Sequence, residues 1–128
     1  MTARQIQVTF DCARPAEVAA FWAEVLGYAV PDSARGEEEW SACADPAGVG
    51  PRLYFQRVSE PKQLKNRVHV DVRAATGLTG QERIDALEAE CARLVALGGT
   101  RVALLPAGED NESCLVMQDV EGNEFCLD

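Results

Sequence analysis

Both halves of the chain carry the same run of structural signals in the same order, and that duplication restricts the topology before any other property is considered. In the first half Ile6, Val8 and Phe10 alternate with Gln7, Thr9 and Asp11, the period-two pattern of a strand buried on one face. Pro15 suits a first helical turn, where its missing N–H would be unpaired anyway. Val18, Phe21, Trp22, Val25 and Leu26 then recur at helical spacing up to Gly27. Strand segments are predicted at 28–30, 40–44 and 52–58, the last two separated by the turn Asp45-Pro46-Ala47-Gly48.

In the second half Val68, Val70 and Val72 alternate with His69, Asp71 and Arg73. Thr79-Gly80-Gln81-Glu82 has the form of a capping box, Ile84, Leu87, Cys91, Leu94 and Val95 make an apolar stripe, and Gly98-Gly99 stops the helix. Strands are predicted at 101–105, 113–118 and 123–127, with the turn Asp119-Val120-Glu121-Gly122 between the last two. Gln7 thus corresponds to His69, and Leu26-Gly27 to Leu97-Gly98. Asp45 follows Gly27 by 18 residues and Asp119 follows Gly98 by 21, close enough for one βαβββ unit used twice. A single such unit leaves one face of its sheet uncovered, so the reading is one α+β domain over 1–128. It is made of module 1–58, a polar linker 59–67 and module 68–128.

A length of 128 residues suffices for a core without a metal or a disulfide. Twelve Lys and Arg against 21 Asp and Glu give a net charge of −9, which argues against nucleic acid and against an anionic membrane surface as partners. No run of 18 apolar residues occurs and the first residues form no apolar signal region, so a cytoplasmic location is expected. The five cysteines are odd in number and irregular in spacing, the pattern of free thiols used mostly as small buried groups.

The order of Phe10-Asp11-Cys12, the helix end from Phe21-Trp22 to Leu26-Gly27-Tyr28, Asn66-Arg67-Val68-His69-Val70-Asp71, and Glu121-Gly122-Asn123-Glu124-Phe125-Cys126 resembles the vicinal oxygen chelate superfamily. That superfamily includes glyoxalase I, extradiol dioxygenases, and bleomycin and fosfomycin resistance proteins. Within it the chain is most similar to bacterial glyoxalase-like domains of unassigned activity. The resemblance implies two tandem βαβββ modules forming an open curved sheet, a cup with helices outside and a small-molecule site within, and it admits a homodimer. Alternation then puts Ile6, Val8, Phe10, Val68, Val70 and Val72 under the helices and turns Gln7, Thr9, Asp11, His69, Asp71 and Arg73 toward the cup.

Metal-using members place one ligand on the first and one on the last strand of each module, which the resemblance carries onto Gln7 and His69 and, at the chain's end, onto Cys126. Glu124 lies two residues earlier on the same face. In the first module the cup-facing candidates are Arg52, Tyr54 and Gln56. The inherited positions therefore offer no carboxylate, and no tightly held metal is expected. If a divalent ion were held, His69, Gln7, Cys126 and Glu124 are the donors for it.

His69, the only histidine, is either hydrogen-bonded to Asp71 or Gln7 or acts as a general base; Glu124 is the second catalytic candidate. Gln7, Thr9, Trp40, Tyr54, Gln56 and Asp71 are the candidate ligand-binding residues, with core packing the alternative for Trp40 and Tyr54. Two functions are consistent with this set. One is a metal-free protein that binds a small molecule in the cup between the modules. The other is a metal-dependent lyase or isomerase acting on vicinal oxygens.

Overall fold

The computed structural model describes residues 2–128, and its mixed α+β chain forms two compact units, one ending at Lys62 and the other spanning Gln63–Asp128. The first contains β1 (Gln7–Cys12), α1 (Pro15–Leu26), a single 3-10 turn (Asp32–Ala34), β2 (Trp40–Cys43) and β3 (Arg52–Arg57). Its open sheet has the order β1-β3-β2, with β1 parallel and β2 antiparallel to β3. Val18, Phe21, Trp22 and Val25 are the buried side of α1. Trp22 meets Phe10 at a ring distance of 5.3 Å, and Phe10 meets Phe55 at 5.1 Å. Tilted aromatic contacts thus fix the helix over one face of the sheet.

The second unit contains β4 (Val70–Val72), α2 (Gly80–Ala96), β5 (Thr100–Leu105), β6 (Cys114–Gln118) and β7 (Glu124–Leu127). Its open sheet has the order β4-β7-β6-β5, and β4 runs parallel to β7. Leu87, Cys91 and Leu94 of α2 are buried, as are Leu115 and Met117 of β6 and Phe125 and Leu127 of β7. In both units the first strand lies parallel to the last, and the last is antiparallel to the strand before it. The duplicated signals of the sequence produce a duplicated topology.

Several expectations are corrected in detail. The segment 28–30 is not a strand; only Ala29 bridges Ala44. Ile6 is 69% and Val68 83% exposed rather than packed under the helices. Pairing begins one residue after Ile6, where Gln7 meets Arg52, and two after Val68, where Val70 meets Phe125. Ahead of those pairs no neighbouring strand holds the apolar side chain on the covered face. The capping box is also absent: Thr79 precedes α2 but its side chain makes no capping bond. Within α2 it is Arg83 that joins the buried stripe, while Val95 is 45% exposed.

Candidate functional site

The sheet of the second unit has one face under α2 and one free of it, and strict alternation decides which residues occupy the free face. In β7 Phe125 and Leu127 are buried, so Glu124 and Cys126 turn the other way. In β6 Leu115 and Met117 are buried and Cys114 and Val116 face outward with them. Asp71 of β4 stands directly beside Cys126 across the parallel pair, and Val116 stands beside it on the antiparallel side. A cavity of about 950 Å³ opens on this face, reaching from His69 and Asp71 across Cys126 to Arg83 and Ser113. That is a volume suited to a small organic ligand.

His69 Nε2 lies 3.2 Å from Asp71 Oδ1. These two and Cys126 present an imidazole nitrogen, a carboxylate oxygen and a thiol within 4.8 Å of one another. Burial pushes the Cys126 thiol up to about 11, reinforced by Cys114, which also hydrogen-bonds it, and by the charges of Asp71 and Asp128. Near neutral pH this thiol is therefore a protonated donor. Asp128 Oδ1 sits 3.2 Å from Arg73 Nε as an ion pair without hydrogen-bond alignment.

Glu124 lines the same cavity but stands outside the three-donor group. The backbone N–H of Asn66 donates to its Oε2 at 3.2 Å, and Asn66 also brackets its main chain, accepting from the Glu124 N–H at 2.9 Å and donating to its carbonyl at 3.1 Å. Glu124 is thus a carboxylate anchored by the segment before β4.

The remaining candidates belong to the first unit, on the face of its sheet away from α1. There Arg52 Nη1 donates to Gln7 Oε1 at 2.7 Å and Gln56 Nε2 donates to Asp11 Oδ1 at 2.8 Å. Trp40 stacks on Tyr54 at 5.8 Å with planes 8° apart, and the Arg52 guanidinium lies 5.4 Å from the Tyr54 ring centre. Thr9 stands beside Tyr54 in the register. These cross-strand pairs satisfy one another, so the polar face of the first unit is built from its own partners.

Among the cavity residues not singled out as site candidates from the sequence are Cys114, Ser113 and Arg83. Cys114 and Arg83 carried a readable signal. Cys114 is in phase with Val116 and opposite in phase to Leu115 and Met117, and Arg83 lies four residues before Leu87 and eight before Cys91 on the buried stripe of α2.

Residues 7–127 match the family model described as a glyoxalase-like domain. No curated protein sequence matches the chain. Solved structures share the fold at low identity. A glyoxalase/bleomycin resistance protein/dioxygenase family enzyme from Burkholderia phytofirmans PsJN is 17% identical with a TM-score of 0.65, covering 94% of each chain. A mutant of the fosfomycin resistance protein FosX from Listeria monocytogenes, complexed with Mn(II) and 1S,2S-dihydroxypropylphosphonic acid, is 12% identical with a TM-score of 0.69, over 99% of this chain and 90% of that one. A possible glyoxalase from Bacillus cereus is 15% identical with a TM-score of 0.64, over 98% of both. These structures share the fold, and with the family model spanning nearly all of its length the chain belongs to the glyoxalase-like domain family.

Proposed function

We propose that this glyoxalase-like protein binds a small organic molecule in the cavity of its second module and holds no metal tightly. The observation that carries the reading is the cavity itself, about 950 Å³ on the helix-free face, with convergent polar groups from β4, β6 and β7. His69, held by Asp71, supplies an imidazole that donates or accepts a hydrogen bond. Five free thiols suit a reducing compartment, in keeping with a cytoplasmic protein. A thermal-shift screen of small organic molecules tests the reading. A hit should lose about tenfold or more in affinity on His69→Ala, the scale of one hydrogen bond to a charged group, while the melting temperature of the free protein stays nearly unchanged. Hits indifferent to His69, or no hits at all, would count against it.

A second reading is favoured by one observation, the approach of His69, Asp71 and Cys126. Asp71 supplies the carboxylate that the inherited positions lacked, and the three donor types are those that zinc accepts. These residues would hold a divalent ion, whose chemistry would be to polarise a bound oxygen in a lyase or isomerase reaction. Elemental analysis of protein purified without a metal-affinity tag separates the two. Stoichiometric metal that disappears in His69→Ala would establish the second reading and displace the first.

A further inference from the structure

We propose that the end of this cavity where α2 begins is a subsite for an oxyanion, the carboxylate or phosphoryl group of an acidic ligand, received by Arg83 and the Ser113 hydroxyl. The proposal rests on the cavity being a ligand site and adds the charge of the ligand. Arg83 is only 8% exposed and lines the cavity. Its Nε donates to the Ser113 carbonyl at 2.9 Å and its Nη1 to the Ala75 carbonyl at 3.1 Å. Both acceptors are neutral, and no carboxylate pairs with this guanidinium among the described residues. Buried charges are ordinarily compensated by an opposite charge. Here the two carbonyls fix the guanidinium plane and leave Nη2 without a protein partner.

A second, independent feature points the same way. Ser113 is 3% exposed and lines the cavity, yet its hydroxyl makes no hydrogen bond among the described residues. Its oxygen is reachable from the cavity rather than sealed in the core, and an oxyanion there would accept from it. The neighbouring wall is formed by Gly77, Leu78 and Thr79, leading into α2, whose first turn receives no side-chain cap. Its unpaired amides and the positive end of the helix dipole favour negative charge there.

The other charges of the cavity largely pair off. Asp71 faces His69, Asp128 faces Arg73, and Glu124 accepts from the Asn66 amide. Lys65, Arg73 and Arg83 stand against Asp71, Glu112, Glu124 and Asp128, so the lining as a whole carries no positive excess. In a chain of net charge −9 the preference for an anion thus acts by contact at Arg83 and Ser113 and not by long-range steering.

The test is an NMR titration of isotope-labelled protein with inorganic phosphate and, separately, with acetate, at constant ionic strength. The expected result is saturable shifts of the Gly80 and Gln81 amides and the Arg83 Nε–H with one or both anions. The arm that saturates at lower concentration identifies a phosphoryl or a carboxylate group. Ser113→Ala leaves the carbonyl that anchors Arg83 in place and should weaken the anion about tenfold with the fold intact. Arg83→Lys keeps the charge but cannot bridge both carbonyls, and should weaken it further. Absence of saturation, or equal affinity in Ser113→Ala, overturns the subsite. So does an organic ligand that depends on His69 but is neutral and indifferent to Ser113→Ala, an outcome that leaves the ligand cavity standing. Saturable phosphate binding that requires Arg83 and Ser113 supports the subsite even where an organic screen finds nothing.

Discussion

Asp119 and Asp45 occupy matching turns, but the two carboxylates do different amounts of structural work because one is buried. Asp119 is 2% exposed. Its Oδ1 accepts from the backbone N–H groups of Glu121 and Asn123 at 2.9 and 3.0 Å, and its Oδ2 from the Asn123 side chain at 2.8 Å. Truncation to alanine leaves those part-buried donors without their acceptor, at a cost of about 2 kcal/mol. Asp45 accepts from Ala47, Val49 and Gly50 at 2.8, 3.2 and 2.8 Å in a more open turn. The Gly50 amide first, and then Ala47, holds its carboxyl below the usual range. Its contribution is therefore complete at neutral pH and is lost as the pH falls through that depressed value. Asp119→Ala should lower the unfolding midpoint in denaturant clearly more than Asp45→Ala at neutral pH. Equal midpoints would show that burial does not set the difference.

At the scale of elements the helix stops are the most legible feature of the sequence and also the most easily probed. Gly27 closes α1 in the left-handed region at φ 69°, with open space where a Cβ would go. Gly98, just past α2, has φ 108° and would bring a Cβ within 3.0 Å of Val120 Cγ1. Gly27→Ala should cost about 1 kcal/mol, the conformational penalty alone. Gly98→Ala should cost more, and adding Val120→Ala should recover the steric part, a coupling that a double-mutant cycle in urea measures. The periodicities that located these helices and most of the strands record which side chains must face a core. They fail at element ends such as Ile6, Val68 and Thr79, where a neighbouring strand or the local turn decides the outcome. The site was legible in part for the same reason. Alternation placed His69 and Asp71 on one face and the family resemblance pointed to Cys126, whereas the approach of Cys114 and the hydrogen bonding of Arg83 depend on strand order and on three-dimensional neighbours.

For the molecule as a whole, thiol chemistry reports on both units at once. Cys12 and Cys43 are buried in the first unit and Cys91 in the second, while Cys114 and Cys126 are half-buried on the cavity face, and all five are free. Unreduced protein unfolded in guanidinium should therefore titrate five thiols; a smaller number would reveal a disulfide. In the native state at pH 8 only Cys114 and Cys126 should react before unfolding. Cys126 should be the slower of the two, since a shift from 9.0 to about 11 cuts its thiolate fraction about a hundredfold. Its labelling rate should climb with pH toward that value, which mass spectrometry of the labelled peptides would follow. Cys12 and Cys43 share one core, the apolar face between α1 and its sheet, so the two should become reactive together at the opening rate of that unit. Separate rates for this pair would mean that the first unit does not open cooperatively.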